Sequence, residues 1–299
     1  MIVTKSTGSW YTVFDMGSGE EFRCRLRGAL RLEGRRSTNP VVVGDEVVVE
    51  KTAESDYLIT SILPRKNYLI RRSTNLSRES HIIAANIDYI YIIVSAEQPR
   101  TNPEFIDRVL VTCEAYKIPA TIVVNKSDID SGEEFREIYE LAGYEVINTS
   151  VKTGEGIEEL SSRLRGGLSL LTGNSGVGKS SVINAIDPSI GARVGNISHY
   201  HRKGMHTTTF SEIFRLSNGG FIIDTPGIKG FGLVDLDNDE LARYFPDLSR
   251  YAPECGYYNC THIHEPDCAV MQAFAEGKIS ESRYESYLKM LDDDGKHRK

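Results

Sequence analysis

Residues 168 to 181, Leu-Ser-Leu-Leu-Thr-Gly-Asn-Ser-Gly-Val-Gly-Lys-Ser-Ser, constrain this chain more than any other stretch. A short apolar run ends at Thr172, and Gly173 opens the pattern G-x-x-x-x-G-K-S, through Asn174, Ser175, Gly176, Val177 and Gly178 to Lys179 and Ser180. Glycines at these spacings let the backbone close on an anion with successive N–H groups turned inward. A helix starting near Lys179 adds the positive end of its dipole. In such a loop Lys179 reaches the β- and γ-phosphates and Ser180 holds Mg²⁺, with Ser181 next in line. The bland alternative is a glycine-rich strand-to-helix turn. The flanking pattern, an apolar strand before and a helix after, is the context that a phosphate loop demands, and it predicts an α/β core built around this segment.

The chain has 299 residues, room for two or three domains, and a hydrophobic content of 40% that suits an ordinary globular protein. No run approaches the ~20 apolar residues that cross a bilayer, and the N-terminus lacks the apolar region of a signal peptide, so a cytoplasmic protein without a membrane partner is expected. The net charge of −7 argues against wholesale coating of nucleic acid, but it is unevenly spread. Residues 1 to 72 hold 12 Lys and Arg against 9 Asp and Glu, whereas the remainder holds 23 against 33. The N-terminal segment is therefore the candidate for touching phosphate backbones.

That segment alternates with period two: Phe22, Cys24 and Leu26 on one side, Arg23, Arg25 and Arg27 on the other. Residues 41 to 49 place a Gly-Asp turn between two valine runs, and several short strands in about 70 residues suggest a small barrel of the OB type. Its arginine row is either an oligonucleotide contact or a solvated strand face. Residues 73 to 86 read as a linker. Then Ile87 to Ser95 is an almost continuous apolar run, and strands alternate with helices at 103–117, 133–142, 156–164 and 180–186, which implies a parallel, doubly wound sheet.

Strand Ala120 to Val124 runs into Asn125-Lys126-Ser127-Asp128. In a nucleotide domain this N-K-x-D reads a base. Guanine offers N1–H and an exocyclic amino group that one carboxylate, Asp128, accepts together, whereas adenine would leave a carboxylate unpaired. After the next strand, Ser150-Val151-Lys152 resembles the S-A-K element that packs on guanine. Downstream of the phosphate loop, a basic stretch closes on His206-Thr207-Thr208-Thr209, where Thr208, with Thr207 as second choice, completes the Mg²⁺ shell. Asp224-Thr225-Pro226-Gly227 follows a strand, with Asp224 behind the Mg²⁺ and Gly227 donating to the γ-phosphate. The base reader argues against a P-loop kinase or other ATPase.

The base-reading elements precede the phosphate loop, and the threonine switch and D-x-x-G follow it. This order resembles a circularly permuted GTPase, specifically the bacterial ribosome small-subunit-dependent GTPase A family, over essentially the whole chain. The resemblance implies an OB-type barrel (1–72), a permuted, doubly wound P-loop GTPase domain (73–234) and a small helical zinc domain (235–299). It also implies GTP and GDP as substrate and product, Mg²⁺, one structural Zn²⁺, and a monomer that binds the small ribosomal subunit and its rRNA late in assembly, with hydrolysis stimulated by that subunit. The alternative is a nucleotide-gated RNA-binding module with incidental turnover. Of the five cysteines, three match the family's zinc pattern as Cys255-x4-Cys260-x-His262-x5-Cys268, with His264 a competitor for the histidine position; four such ligands close a tetrahedral site. Where many GTPases carry a glutamine after D-x-x-G, this chain has Ile228, which cannot orient water; with Lys179 and Thr208 already in place, His206 is the candidate for that third catalytic role. The helix expected at 280–291 turns Tyr284, Tyr287, Leu288 and Leu291 to one face, and the charged tail 292–299 reads as disordered.

Overall fold

A computed structural model of the chain describes residues 1–28, 40–53, 56–71, 81–190, 211–224 and 238–296. Two compact units emerge, one of residues 1–90, 157–171 and 179–229, the other of residues 91–156, 172–178 and 230–299.

The first unit contains a five-stranded barrel. Strands β1 (Ile2–Ser6), β2 (Tyr11–Phe14), β3 (Glu21–Leu26), β4 (Val47–Lys51) and β5 (Tyr57–Ile62) run in the order β1-β2-β3-β5-β4. The bridge Ile2 to Glu46, with Val47 N donating to the Met1 carbonyl at 2.9 Å, brings the last strand back to the first. Period-two alternation puts Val3, Val13, Cys24, Val47 and Ile59 inside and the arginines outside. Only the second valine run of 41–49 is a strand. Val41 to Val43 form a buried connection instead, because Val42 N is taken by the Asp45 carboxylate at 2.8 Å, which is itself clamped by Arg65 at 2.6 and 2.8 Å. The expected linker also differs: His81–Ala85 is a strand, β7, paired antiparallel with β6 (Tyr68–Arg71), and only 72–80 lies outside the described residues. A polar run at 73–80 leads into this short strand, whose partner lies about ten residues back.

The same unit carries β11 (Leu168–Thr172, its last residue excepted), parallel to β13 (Phe221–Asp224), which pairs antiparallel with β12 (Glu212–Arg215). Strand β12 in turn pairs with barrel strand β1 at Lys5 and Glu212, and the two side chains form an ion pair at 2.9 Å.

In the second unit β8 (Tyr89–Val94, from Tyr91 onward), β9 (Ala120–Asn125) and β10 (Glu145–Thr149) lie side by side, the last two parallel. Helices α1 (Pro103–Tyr116) and α2 (Glu133–Leu141) make the crossovers. Asn102 caps α1 by accepting from Glu104 N at 3.0 Å, Pro103 sits where a missing N–H costs nothing, and left-handed Lys117 ends the helix. Helix α3 (Ile157–Arg163) and helix α4 (Lys179–Ile186) belong to the first unit.

The C-terminal segment adds α5 (Asn238–Leu241), α6 (Pro246–Ser249), α7 (Ala269–Ala275) and α8 (Glu281–Lys296), whose buried face, with Phe245, Leu248, Val270, Tyr287 and Met290, packs together with Val111 of α1. Helix α8 outruns the expected end at residue 291. No breaker occurs before Gly295, and extending a nucleated helix is far cheaper than starting one.

Candidate nucleotide site and candidate metal centre

The phosphate loop leaves β11 and enters α4 as the sequence requires. Gly173 has φ 150° and Gly178 φ 98°, both closed to ordinary side chains. A Cβ at Gly173 would lie 2.1 Å from the Ile93 carbonyl oxygen, and one at Gly178 would lie 2.4 Å from Asn125 Nδ2. The second approach is functional geometry: Asn125, buried, donates to the Val177 carbonyl at 2.8 Å and accepts from Thr149 Oγ1 at 3.2 Å. Lys126, at φ 67°, donates to the carbonyls of Gly176 (2.9 Å) and Gln98. The first two residues of N-K-x-D thus hold the phosphate loop in shape, a role that the sequence pattern alone did not disclose.

Asp128, the last residue of the motif, takes its partners from the loop after β10. Ser150 Oγ donates to one carboxylate oxygen at 2.6 Å, and exposed Lys152 lies 3.3 Å from the other. The Ser150 hydrogen bond, helped by Lys152, holds this carboxyl below the usual carboxylate range, so it stays a charged acceptor. Ser127 Oγ donates to Glu155 at 2.7 Å, which ties the two loops together beside Val151. The structure therefore brings Asn125, Lys126, Ser127, Asp128, Ser150 and Lys152 beside Gly173–Gly178. Lys179, Ser180 and Ser181 open α4, and Asp224 ends β13. His206, Thr207, Thr208, Gly227 and Ile228 lie outside the described residues.

Far along the chain, Cys255, Cys260, His262 and Cys268 converge with their ligand atoms within 4.8 Å of one another. His262 Nδ1 lies 3.6 Å from Cys255 Sγ and 3.5 Å from Cys268 Sγ, and those two sulfurs are 3.9 Å apart. Around tetrahedral Zn²⁺ the expected edges are ~3.5 Å for N to S and ~3.8 Å for S to S. The donor set fits that ion, and the histidine in it is His262 and not His264. Burial lowers the His262 pKa toward the neutral imidazole that a metal takes, and pushes the Cys260 thiol up to about 12 until a cation replaces its proton. Glu265 organises the turn. Although burial opposes its charge, donors from Thr261 N (2.8 Å), Thr261 Oγ1 and Ile263 N (3.0 Å) hold its carboxyl well below the usual range. Tyr284 and Tyr287 of α8 donate to the carbonyls of His262 (2.6 Å) and Thr261 (2.8 Å). The apolar stripe of α8 is core, and its hydroxyls also anchor the candidate metal loop.

A barrel, a base-reading loop that comes before its phosphate loop, and a Cys₃His cluster define a permuted P-loop nucleotide-binding protein. Sequence and structural relatives make the class specific. The sequence model of the RsgA GTPase family matches residues 62–234, and that of the RsgA N-terminal domain matches residues 2–59. The chain belongs to the RsgA GTPase family. It is 48% identical to the small ribosomal subunit biogenesis GTPase RsgA 2 of Bacteroides thetaiotaomicron, over 99% of this chain and 98% of the relative. To the RsgA protein of Christiangramia forsetii it is 46% identical, over 97% and 95%. Among solved structures it resembles YjeQ from Thermotoga maritima (TM-score 0.77, 33% identity, 98% of this chain and 96% of that one). YloQ, described as a circularly permuted GTPase, gives a TM-score of 0.75 at 26% identity, over 100% and 95%.

Proposed function

We propose that this chain binds GTP with Mg²⁺ and hydrolyses it to GDP while bound to the small ribosomal subunit late in that particle's maturation, in the cytoplasm and as a monomer. The observation that carries the reading is the linkage of base reader to phosphate loop: Asn125 on Val177 and Lys126 on Gly176, with Asp128 held ionised beside them. In that site Gly173–Gly178 would cradle the phosphates with Lys179, and Ser180 and Thr208 would hold Mg²⁺, which supplies charge neutralisation between β- and γ-phosphates. Cys255, Cys260, His262 and Cys268 would hold one structural Zn²⁺. The domain limits 1–72, 73–234 and 235–299 assign rRNA contact to the barrel. The names of the relatives support the ribosomal partner.

His206 is the proposed water-positioning group, because Ile228 offers none. The test is multiple-turnover GTP hydrolysis by the purified protein alone, with small subunits and with large subunits. Stimulation by small subunits alone is expected, and His206→Ala should lower the stimulated kcat about 10²-fold with GTP affinity unchanged. Equal turnover under all three conditions would instead make the protein an RNA-binding module with incidental hydrolysis.

A further inference from the structure

Besides the contacts to Asp128 itself, two bonds of Ser127 join the loops that follow β9 and β10. Ser127 N donates to the Thr149 carbonyl at 3.1 Å, and Ser127 Oγ donates to the exposed carboxylate of Glu155 at 2.7 Å. Glu155 also closes its own loop. Its carbonyl accepts from Ser150 N at 3.0 Å and its N–H donates to Thr153 Oγ1 at 3.3 Å, while Thr153 N donates to Ser150 Oγ at 3.2 Å. With that donor facing its oxygen, Ser150 turns its own proton to Asp128. Gly156 follows at φ 64°, and a Cβ there would lie 2.0 Å from the Asn148 carbonyl oxygen. The turn that presents Glu155 is therefore held closely against the end of β10, and only glycine fits behind it.

We propose that Glu155 is a positioning residue that sets how strictly the site demands guanine. This role deepens the GTP reading above and rests on it. Guanine would give Asp128 two donors, N1–H and the exocyclic amino group, and accepting both requires the carboxylate to stand at one distance and in one plane. Hypoxanthine lacks the amino group, so its single donor tolerates a wider range of carboxylate positions. Ser127 directly precedes Asp128, and its bond to Glu155 fastens the chain there to the loop that carries Ser150 and Lys152. Without the Glu155 carboxylate, the backbone bond to Thr149 remains and residues 127 and 128 can turn about it. Affinity for guanine then falls more than affinity for hypoxanthine. Glu155 touches no ligand in this role; it acts through Ser127.

The test is calorimetric titration of the full chain, with Mg²⁺, against GDP, inosine diphosphate and ADP. All three carry the same phosphates, so a ratio of affinities cancels any change at the phosphate loop or in net charge. The wild type should prefer GDP over inosine diphosphate, and Glu155→Ala should reduce that preference about fivefold, the scale of one hydrogen bond. Glu155→Gln, whose amide oxygen still accepts from Ser127, should restore it. Ser127→Ala should match Glu155→Ala, and the double variant should be no worse than either, because all three remove one and the same bond. The proposal is overturned by wild-type preference in both alanine variants, by losses that add in the double variant, or by Glu155→Gln behaving like Glu155→Ala. It is equally overturned by a wild type indifferent between GDP and inosine diphosphate. A wild type that binds ADP as tightly as GDP would sink the guanine reading itself, whereas intact selectivity against ADP with failed variants sinks the Glu155 assignment alone.

Discussion

Ser150 and Asp128 show how one hydroxyl sets the working range of the proposed base reader. A carboxyl whose pKa is lowered in the folded site keeps its charge above the ordinary carboxylate range, and loses it only as pH falls through the lowered value. The leading cause of that lowering is the Ser150 donor at 2.6 Å, so Ser150→Ala should let Asp128 protonate at higher pH. Guanine nucleotide affinity in this variant should match the wild type near neutrality and fall earlier on acidification, as read by fluorescent-nucleotide titration between pH 7 and 4. Identical acid limbs would show that Ser150 serves only loop geometry. Asp128→Asn should shift preference toward xanthosine nucleotides, because the amide donates where xanthine carries a carbonyl. The letters N-K-x-D were legible in the sequence, but the work of Asn125 and Lys126 on the phosphate loop was not. Those contacts join residues about fifty positions apart, and no local pattern records a carbonyl 2.8 or 2.9 Å away.

At the scale of elements, periodicity located most strands and helices because a buried face leaves a repeating trace. It failed where burial is irregular or the face is short. Val41 to Val43 look like a strand but spend their backbone on a turn around Asp45, and His81–Ala85, at the mixed end of a polar stretch, pair with β6. The loop over the four metal-ligand candidates is a third case: its spacing was legible, its support was not. Glu265 accepts from the backbone on both sides of His262, and two tyrosines of α8 fix the carbonyls of Thr261 and His262. Metal analysis should find about one zinc per chain, and Glu265→Ala should weaken its retention against a chelator by roughly 10- to 100-fold, the scale of a lost outer-shell partner. Chelation should unfold residues 255–268 locally while guanine nucleotide binding persists.

Across the second unit the decisive contact is a buried charge cluster. Arg283 of α8 is fully buried and bonds Asp247 at 2.7 and 3.1 Å and Asp107 of α1 at 2.8 Å, with the Phe245 ring 4.6 Å away. Burial pushes the Asp107 carboxyl up in spite of that guanidinium, and its second oxygen has no partner among the described residues. The C-terminal helices are therefore fixed to the helix that crosses between β8 and β9. Arg283→Met should destabilise the chain by roughly 3–5 kcal/mol in urea unfolding, because two carboxylates stay buried without a cation. Adding Asp107→Leu and Asp247→Leu should recover most of the loss. A small cost in the single variant would show that water reaches the cluster.

Within the first unit, the permuted chain order has its own consequence. Strand β12 begins directly after the threonine segment that the proposal assigns to Mg²⁺, and its outer neighbour is the first strand of the barrel. A GTPase whose sheet ended at β12 would leave that edge to solvent. Here β1 covers it, and the Lys5–Glu212 ion pair, half in solvent, adds little beyond register. Among the described residues the joint shows one paired register position, against the four that join β12 to β13. A sparsely paired joint beside the proposed threonine switch opens more readily than the strands it connects. Amide hydrogen exchange at Lys5 and at residues 211–213 should differ between the GDP form and a non-hydrolysable GTP analogue form, while Ile222 and Ile223 of β13 exchange alike in both. If exchange at the joint is the same with either nucleotide, the barrel does not sense the γ-phosphate through β12.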